Sequence, residues 1–488
     1  MPLPDEQGKV PAFVEAFVFY GLIVLVALVA IPYGTVEPWW EAVFECAVFV
    51  LGLLWIAHGL FNGFWIQGSV RVFYPMMALV ALALVQSLPL WQMDWAGNKV
   101  WYAVSADPFE SRRFALKTAA LILAGVMLIR YTGSRRRLSV LVHAIIGVAL
   151  ATALFGIARQ AMQHAPGFGL PLLRPGLGYA QFINKNHFAY LMEMGMGLIA
   201  GVALLRTEGR ERILIYLSAL LLIFVALVLS NSRGGLLAIV AQVVCAPAIF
   251  LNSRTRPADG ATSWTRSVAV RAAMIAALLI VVAGGVVWLG GDQLATGAET
   301  ASIEIAGADR SELHEGARRR DIWRSSWLMF KAHPITGAGF GGYWAEVPLF
   351  HQASGRLTPQ QAHNDYLEVL ASGGIVGVAL FVWFAIVVVS QARKELSATD
   401  GFQRAVASGA IIALVGVSVH SMVDFGLHIT ANALVFVALL AILSLKAMTR
   451  RRGQRKLPAG FDDRASESRA SASKESVQVR TAGLEFKL

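Results

Sequence analysis

Residues 212–235, RILIYLSALLLIFVALVLSNSRGG, form an unbroken apolar run that ends in a Gly-flanked polar turn carrying a single arginine. A run of roughly 20 apolar residues is the length that crosses a bilayer as an α-helix, which satisfies its own backbone hydrogen bonds. The pattern recurs twelve times, near residues 14–33, 41–60, 72–90, 114–130, 138–158, 188–205, 212–230, 235–252, 268–290, 366–390, 405–421 and 430–447. Composition agrees, with 56 % apolar residues, 15 % charged residues and a mean hydropathy of +0.58, outside the range of a soluble globular domain. The sequence predicts an all-α integral membrane protein of about twelve transmembrane helices, with one large loop between the ninth and tenth.

Charge on alternate connections orients these helices, because Lys and Arg concentrate on the cytoplasmic side. One set of connections carries Arg71; Arg130, Arg135, Arg136 and Arg137; Arg206, Arg210 and Arg212; Arg254, Arg256, Arg266 and Arg271; and Arg393, Lys394 and Arg404. The short loops of the other set carry Lys99, Arg112, Arg113, Arg159, Arg174, Lys185 and Arg233. Fifteen against seven assigns the first set, and both termini, to the cytoplasm. The net charge of +11 is then mostly a topology signal, reinforced by Lys446, Arg450, Arg451, Arg452, Arg455 and Lys456. Divided among short loops, it forms no single basic face, which argues against a nucleic-acid partner.

The first apolar run is too long for a signal-peptide core and lacks a clean small-residue cleavage site, so it is expected to remain as an anchor. Cys46 and Cys245 fall inside apolar runs, where a free thiol packs as a small apolar group. Neither a disulfide nor a metal site is expected. The tail is rich in Ser, Ala, Glu, Lys and Arg and is expected to be disordered. The organisation is thus nine helices over 1–290, a large loop over 291–365, three helices over 366–448 and a cytoplasmic tail over 449–488. No internal repeat relates the two halves.

With this orientation, four polar clusters fall on the outer side. They are Phe182-Ile183-Asn184-Lys185-Asn186-His187, the turn Ser230-Asn231-Ser232-Arg233-Gly234-Gly235, the large loop ending at His363-Asn364-Asp365-Tyr366-Leu367-Glu368, and His420-Ser421-Met422-Val423-Asp424-Phe425. Within the loop, 311–332 reads as an amphipathic helix: Ile322, Trp323, Ser326, Trp327 and Phe330 recur at three- and four-residue spacing opposite Arg318, Arg319, Asp321 and Lys331. Its tryptophans suit the headgroup layer. His333-Pro334 is expected to stop it. The following Gly337-Ala338-Gly339-Phe340-Gly341-Gly342 reads as a flexible turn, since no strand precedes it and no Lys-Ser/Thr follows, as a nucleotide loop requires.

Taken together, Ser232-Arg233-Gly234-Gly235, Arg319-Arg320-Asp321-Ile322-Trp323, His333-Pro334-Ile335-Thr336-Gly337-Ala338-Gly339 and His363-Asn364-Asp365-Tyr366-Leu367-Glu368 with Gly373-Gly374 and Gly377 resemble the O-antigen ligase and Wzy-type O-antigen polymerase superfamily of bacterial envelope enzymes. Each motif is weak alone, and their order and spacing carry the resemblance over roughly residues 180–445. The resemblance implies a metal-independent glycosyltransferase of polysaccharide or lipopolysaccharide biosynthesis in the inner membrane. It moves a glycan from undecaprenyl diphosphate to a saccharide hydroxyl at the periplasmic face, with no nucleotide, metal or other cofactor.

That chemistry needs cationic donors for the diphosphate leaving group, whose negative charge grows as the glycosyl bond breaks. Arginine suits it, being permanently charged and able to make forked contacts with phosphate oxygens. Arg233, in its Gly-flanked turn, is the first candidate, against the bland reading of an interfacial arginine snorkelling to headgroups. Arg319 matches the family's loop arginine, with Arg318 and Arg320 close enough to be mistaken for it, against a solvated basic face. His363 is the candidate base, since imidazole titrates near neutral pH. It is set against a structural role at a helix start, where Asn364 and Asp365 are also plausible caps.

Arg320, Asn364, Asn184, Asn186 and His187 are assigned to the substrate groove, although an Asn-rich helix start is explained by capping alone. Asp424 and His420 read as structural, holding one of the arginines by an ion pair. Three acceptors fit the same donor site: lipid A-core for a ligase, a growing chain on the carrier for a polymerase, and a Ser or Thr hydroxyl for a protein O-oligosaccharyltransferase. A transporter of the lipid-linked glycan is the alternative class, but transporters place polar sites near the midplane, and here polar residues gather at one surface. The partners implied are the glycan donor, the saccharide or lipid A-core acceptor and membrane lipids.

Overall fold

The computed structural model describes residues 9–63, 68–162, 173, 178–205, 210–252, 319–351 and 359–446. Among them the chain forms thirteen α-helices. These are α1 (Lys9–Leu28), α2 (Pro38–Asn62), α3 (Tyr74–Gln86), α4 (Pro108–Tyr131), α5 (Arg135–Ala161), α6 (Lys185–Leu205), α7 (Arg210–Leu229), α8 (Arg233–Asn252), α9 (Arg319–Ala332), α10 (Tyr343–Glu346), α11 (Asp365–Leu396), α12 (Gly401–His420) and α13 (Thr430–Leu443). Six helices or helical stretches are long and apolar enough to cross a membrane: α2, α4, α5, Glu211–Leu229 of α7, α11 and α12. Four shorter apolar stretches accompany them, at Phe13–Leu28, Arg71–Gln86, Arg233–Ile249 and Thr430–Leu443. Eleven of the twelve apolar runs therefore coincide with helices. The expected helix over 268–290, loop residues 291–318 and the tail over 449–488 lie outside the described residues.

Local chemistry sets the helix starts. Asp107 precedes Pro108 and accepts from the N–H groups of Phe109 and Glu110 at 3.0 and 3.1 Å, and Asp400 accepts likewise from Phe402 and Gln403 at 3.0 and 2.8 Å. Both use a side-chain oxygen to satisfy donors that the first turn leaves free.

The tightest helix pairing is antiparallel, between α6 and α12, and glycine makes it possible. A Cβ on Gly197 would sit 2.6 Å from Ala413 N, and one on Gly409 would sit 2.8 Å from Gly197 O. Gly201 is pressed in the same way against the backbone at Ala405 and Gly409. Small residues four apart let two helices approach backbone to backbone, which is how helices associate without a hydrophobic driving force in lipid. This pairing brings the Lys185 end of α6 beside the His420 end of α12.

Two connections differ from the sequence reading. Residues Trp91–Trp95 and Asn98–Tyr102 form a two-stranded antiparallel hairpin, β1–β2, turning at Ala96 and Gly97, both with positive φ. In β1 the exposed Trp91 and Met93 alternate with Gln92 and Asp94 at the two-residue period of a strand, while β2 carries the exposed run Val100-Trp101-Tyr102. The stretch Gly337–Gly342 is not a flexible turn but a strap packed between α3, α4 and α11. Ala338 N and Gly339 N donate to the carbonyls of Ala371 and Ser372, while Ile375 N and Val376 N donate to those of Pro334 and Ile335. Gln86, at the end of α3, donates to Thr336 O at 2.6 Å and Ser372 O at 3.0 Å and accepts from Phe340 N at 3.2 Å. Helix α11 breaks at Gly374, whose φ of 58° and ψ of −155° are open to glycine alone. The break frees the carbonyls of Ala371 and Ser372 for the strap and the N–H groups of Ile375 and Val376 for Pro334 and Ile335 just before it.

Helix α9 stops at Ala332, before His333-Pro334, as the sequence predicts, while 311–318 lie outside the described residues. Its inward face is rotated from the expected one. Ile322, Ser325, Ser326 and Met329 are buried, and Trp327 is exposed, with Lys331 Nζ 5.8 Å from its ring centre.

Candidate active site

The site is assembled around Asp424, in the turn between α12 and α13, whose side chain is fully buried. Its Oδ1 accepts from the N–H of Phe425 at 2.9 Å and lies 3.5 Å from His363 Nδ1. Its Oδ2 accepts a very short hydrogen bond from Asn186 Nδ2 and lies 3.7 Å from Arg319 Nη2. The Asn186 side-chain Oδ1 in turn accepts from Ser232 Oγ at 2.8 Å, and Ser232 Oγ accepts from Gly235 N at 3.2 Å, capping α8. The turn that carries Arg233 is thereby tied to the same carboxylate. Arg233 and Arg319 are both near enough to Lys185 for their charges to act on it.

Burial by itself would raise the Asp424 carboxyl. The His363 imidazole, the charge of His187 and the Phe425 N–H outweigh it, and the pKa is held down to about 2. A carboxylate this buried persists only because every side of it meets a donor or cation.

Backbone strain marks the same place. His363 has a φ of +48° and Asn231 one of +52°, in the left-handed region that non-glycine residues seldom occupy. The ring of His363 stands edge-on to Phe425 at 4.7 Å, and His187 stands edge-on to the same ring at 4.9 Å. Behind them, His428 Nε2 lies 3.6 Å from Asp365 Oδ1 and 3.4 Å from Glu368 Oε1, and its carbonyl accepts from Lys117 Nζ at 2.7 Å.

Of the residues singled out from sequence, the structure brings together His363, Arg319, Asn186 and the Arg233 turn. Asn184 and Asn364 hold capping positions. Asn184 Oδ1 accepts from Asn186 N at 2.9 Å, and Asn364 Oδ1 from Leu367 N at 3.0 Å, starting α11. His187 is buried against Phe425, and Arg320 is exposed next to Arg319. The expected ion pair with an arginine is made by Asp424 and not by His420. His420 Nδ1 instead shares a 3.1 Å hydrogen bond with Glu193 Oε2, both side chains fully buried. The centrality of Asp424 and the Glu193–His420 contact were missed in the sequence. Asp424 had one available signal, an acidic residue at the outer end of an apolar run.

Fold and site define a polytopic α-helical membrane protein with a buried carboxylate that gathers an imidazole and a guanidinium at one end of the bundle. Residues 218–382 match the family model described as O-Antigen ligase, so the chain carries a domain of the O-antigen ligase and Wzy superfamily of ligase- and polymerase-like membrane enzymes. The matched residues include the Arg233 turn, α9, the glycine strap and His363. Asn186 and Asp424 lie outside them and join the site only through the fold. No curated protein matches the chain.

Proposed function

We propose that the protein is a glycosyltransferase of O-antigen ligase type. It moves a glycan from undecaprenyl diphosphate to a saccharide acceptor, the lipid A-core, at the periplasmic face of the bacterial inner membrane. The observation that carries this reading is the convergence of Arg319, His363 and Asn186 on Asp424, with Asn186 also holding the turn of Arg233.

In this reaction the acceptor hydroxyl oxygen attacks the anomeric carbon of the donor sugar. The bond from that carbon to the diphosphate oxygen breaks, and the diphosphate leaves with the electron pair. His363 takes the hydroxyl proton. Its Nδ1 lies 3.5 Å from Asp424 Oδ1; with the proton held on that nitrogen, toward the carboxylate, Nε2 offers the lone pair. A base so placed contributes about a hundredfold or more. Arg233 and Arg319 oppose the charge growing on the leaving group and are positioned before it forms. Twelve spans with cytoplasmic termini would turn this end of the bundle to the periplasm, where both substrates present their polar ends.

The test is an assay of purified protein in detergent with undecaprenyl diphosphate-linked oligosaccharide, offered lipid A-core or no acceptor, with EDTA throughout. Glycan on lipid A-core is the expected result and would also establish metal independence. Chains lengthening on the carrier would replace the ligase reading with a polymerase. No release of undecaprenyl diphosphate, with wild type and Arg233→Ala indistinguishable, would refute transfer and return the transporter reading.

A further inference from the structure

The hydrogen bond between Glu193 of α6 and His420 of α12 is polar chemistry in the interior of the bundle, apart from the residues assigned to donor and acceptor. Both side chains are fully buried. The backbone of Glu193 is tied as well, its carbonyl accepting from Gln242 Nε2 of α8 at 2.9 Å. One face of the His420 ring stacks on Tyr190 at 4.1 Å between ring centres. Its edge closes on the start of α8, where a Cβ on Gly234 would lie 2.5 Å from His420 Cδ2.

Three parts of the candidate site bear on His420 and the next residue, Ser421. Gly234, against the ring, is bonded directly to Arg233. The carbonyl of Ser421 accepts from Asp365 N at 2.9 Å, which holds the strand of chain carrying His363 and Asn364, and Ser421 Oγ is 3.2 Å from Tyr190 Oη. The carbonyl of His420 accepts from Asp424 N at 3.1 Å. The ring thus bears directly on the Arg233 turn, while the backbone at 420–421 carries the His363 loop and Asp424, so repacking of the ring that displaces this end of α12 would reach all three.

We infer that Glu193 and His420 are positioning residues, fixing the imidazole as a wedge that holds the Arg233 turn and the His363 loop in register around Asp424. The inference rests on the proposed function for its kinetic consequence, but the geometry it describes exists without any donor. A burial-neutral contact would suffice if stability were the only requirement. A hydrogen-bonded pair costs desolvation and gives in return a unique ring orientation.

The test uses three variants of the full-length protein and two readouts. Glu193→Met removes the acceptor at similar volume, Glu193→Gln keeps an acceptor, and Glu193→Met/His420→Phe removes both polar groups so that neither is left buried and unpaired. The first and third are expected to lose about tenfold to a hundredfold in kcat with donor KM unchanged, as for a small misplacement of reacting groups, while Glu193→Gln retains turnover. The second readout is the rate at which diethyl pyrocarbonate modifies His363, followed by peptide mass. It should change severalfold in the first and third variants and stay at the wild-type value in Glu193→Gln, since a reagent reaches a partly buried imidazole through local opening of the loop that holds it. This readout holds whether or not the donor is a lipid-linked glycan, so loss of the transfer reading leaves it decisive. Wild-type kcat or an unchanged His363 modification rate in the double variant overturns the inference. So does failure of all three variants to accumulate as folded protein, which would make the pair a folding element only.

Discussion

Replacing Asp424 with Asn keeps the shape of the carboxylate at the centre of the site and removes its charge. The amide then has one acceptor for two demands. Asn186 Nδ2 donates to Oδ2, and His363 Nδ1, which carries the proton in the proposed mechanism, lies 3.5 Å from Oδ1. If the amide oxygen stays with Asn186, its NH2 faces His363, and the imidazole must move its proton to Nε2 to avoid two donors in contact. The nitrogen turned to the acceptor hydroxyl is then already protonated and cannot serve as a base, a loss of about a hundredfold or more in kcat. The effect on donor KM should be much smaller, because Arg319 is 44 % exposed and 3.7 Å away, and an exposed pair is worth about 1 kcal/mol or less. Stability gives an independent check. A folded pKa near 2, against about 3.9 for a free aspartate, corresponds to about 2–3 kcal/mol at neutral pH. Because the folded value is depressed, this stabilisation is present above the unfolded pKa and is lost as pH falls through the folded one. The stability gap between wild type and Asp424→Asn should stay constant above about pH 5 and close towards pH 2. The assays are initial rates of glycan transfer and thermal unfolding over pH in the same detergent. Wild-type kcat in Asp424→Asn would refute the orientation argument, whatever the stability.

Arg233→Lys should accumulate normally yet lose most transfer activity, since an ammonium cannot reproduce forked contacts to a diphosphate; near-normal turnover would remove Arg233 from the mechanism. Arg319→Ala should produce a large defect in donor turnover, whereas Arg320→Ala, one residue along the same exposed turn, should lose about threefold or less. Equal small losses in both would reduce the pair to headgroup attraction. Gly201→Val should destabilise the α6–α12 pairing by about 1–3 kcal/mol or more, read as lower yield and lower unfolding temperature. A normal yield would show that the two helices can part without losing the fold.

The helical class was legible in the sequence because crossing a bilayer constrains composition more strongly than any other fold requirement. Eleven apolar runs coincide with helices, and His333-Pro334 ends α9 where its missing N–H requires. The rest was hidden for identifiable reasons. The hairpin at 91–102 was missed because it follows directly on an apolar helix whose run was read through to residue 90. The inward face of α9 was misjudged because Trp327 is apolar by composition but suits a polar–apolar boundary, while Ser325 and Ser326 can be buried once their hydroxyls bond back to Asp321 O and Ile322 O. The glycine strap looked flexible because a sequence shows glycine's freedom and not what removes it, here the backbone of α11.

The candidate residues divide in the same way. Arg233 and His363 stand in short polar motifs at the ends of apolar runs and Arg319 in a run that the family resemblance singles out, and the family match covers all three. Asn186, Asp424, Glu193 and His420 belong to segments up to 238 residues apart, and no local pattern relates them. Sequence by itself determined the apolar helices, because the requirement to bury backbone and apolar surface acts residue by residue; the direction read from charge and the side chains proposed to meet a diphosphate are expectations that the sequence raises. Only the tertiary structure decided that Asp424 is the common partner and that His420 pairs with Glu193. Those contacts depend on how closely Gly197 and Gly201 let α6 approach α12, and such an approach is a property of two surfaces together.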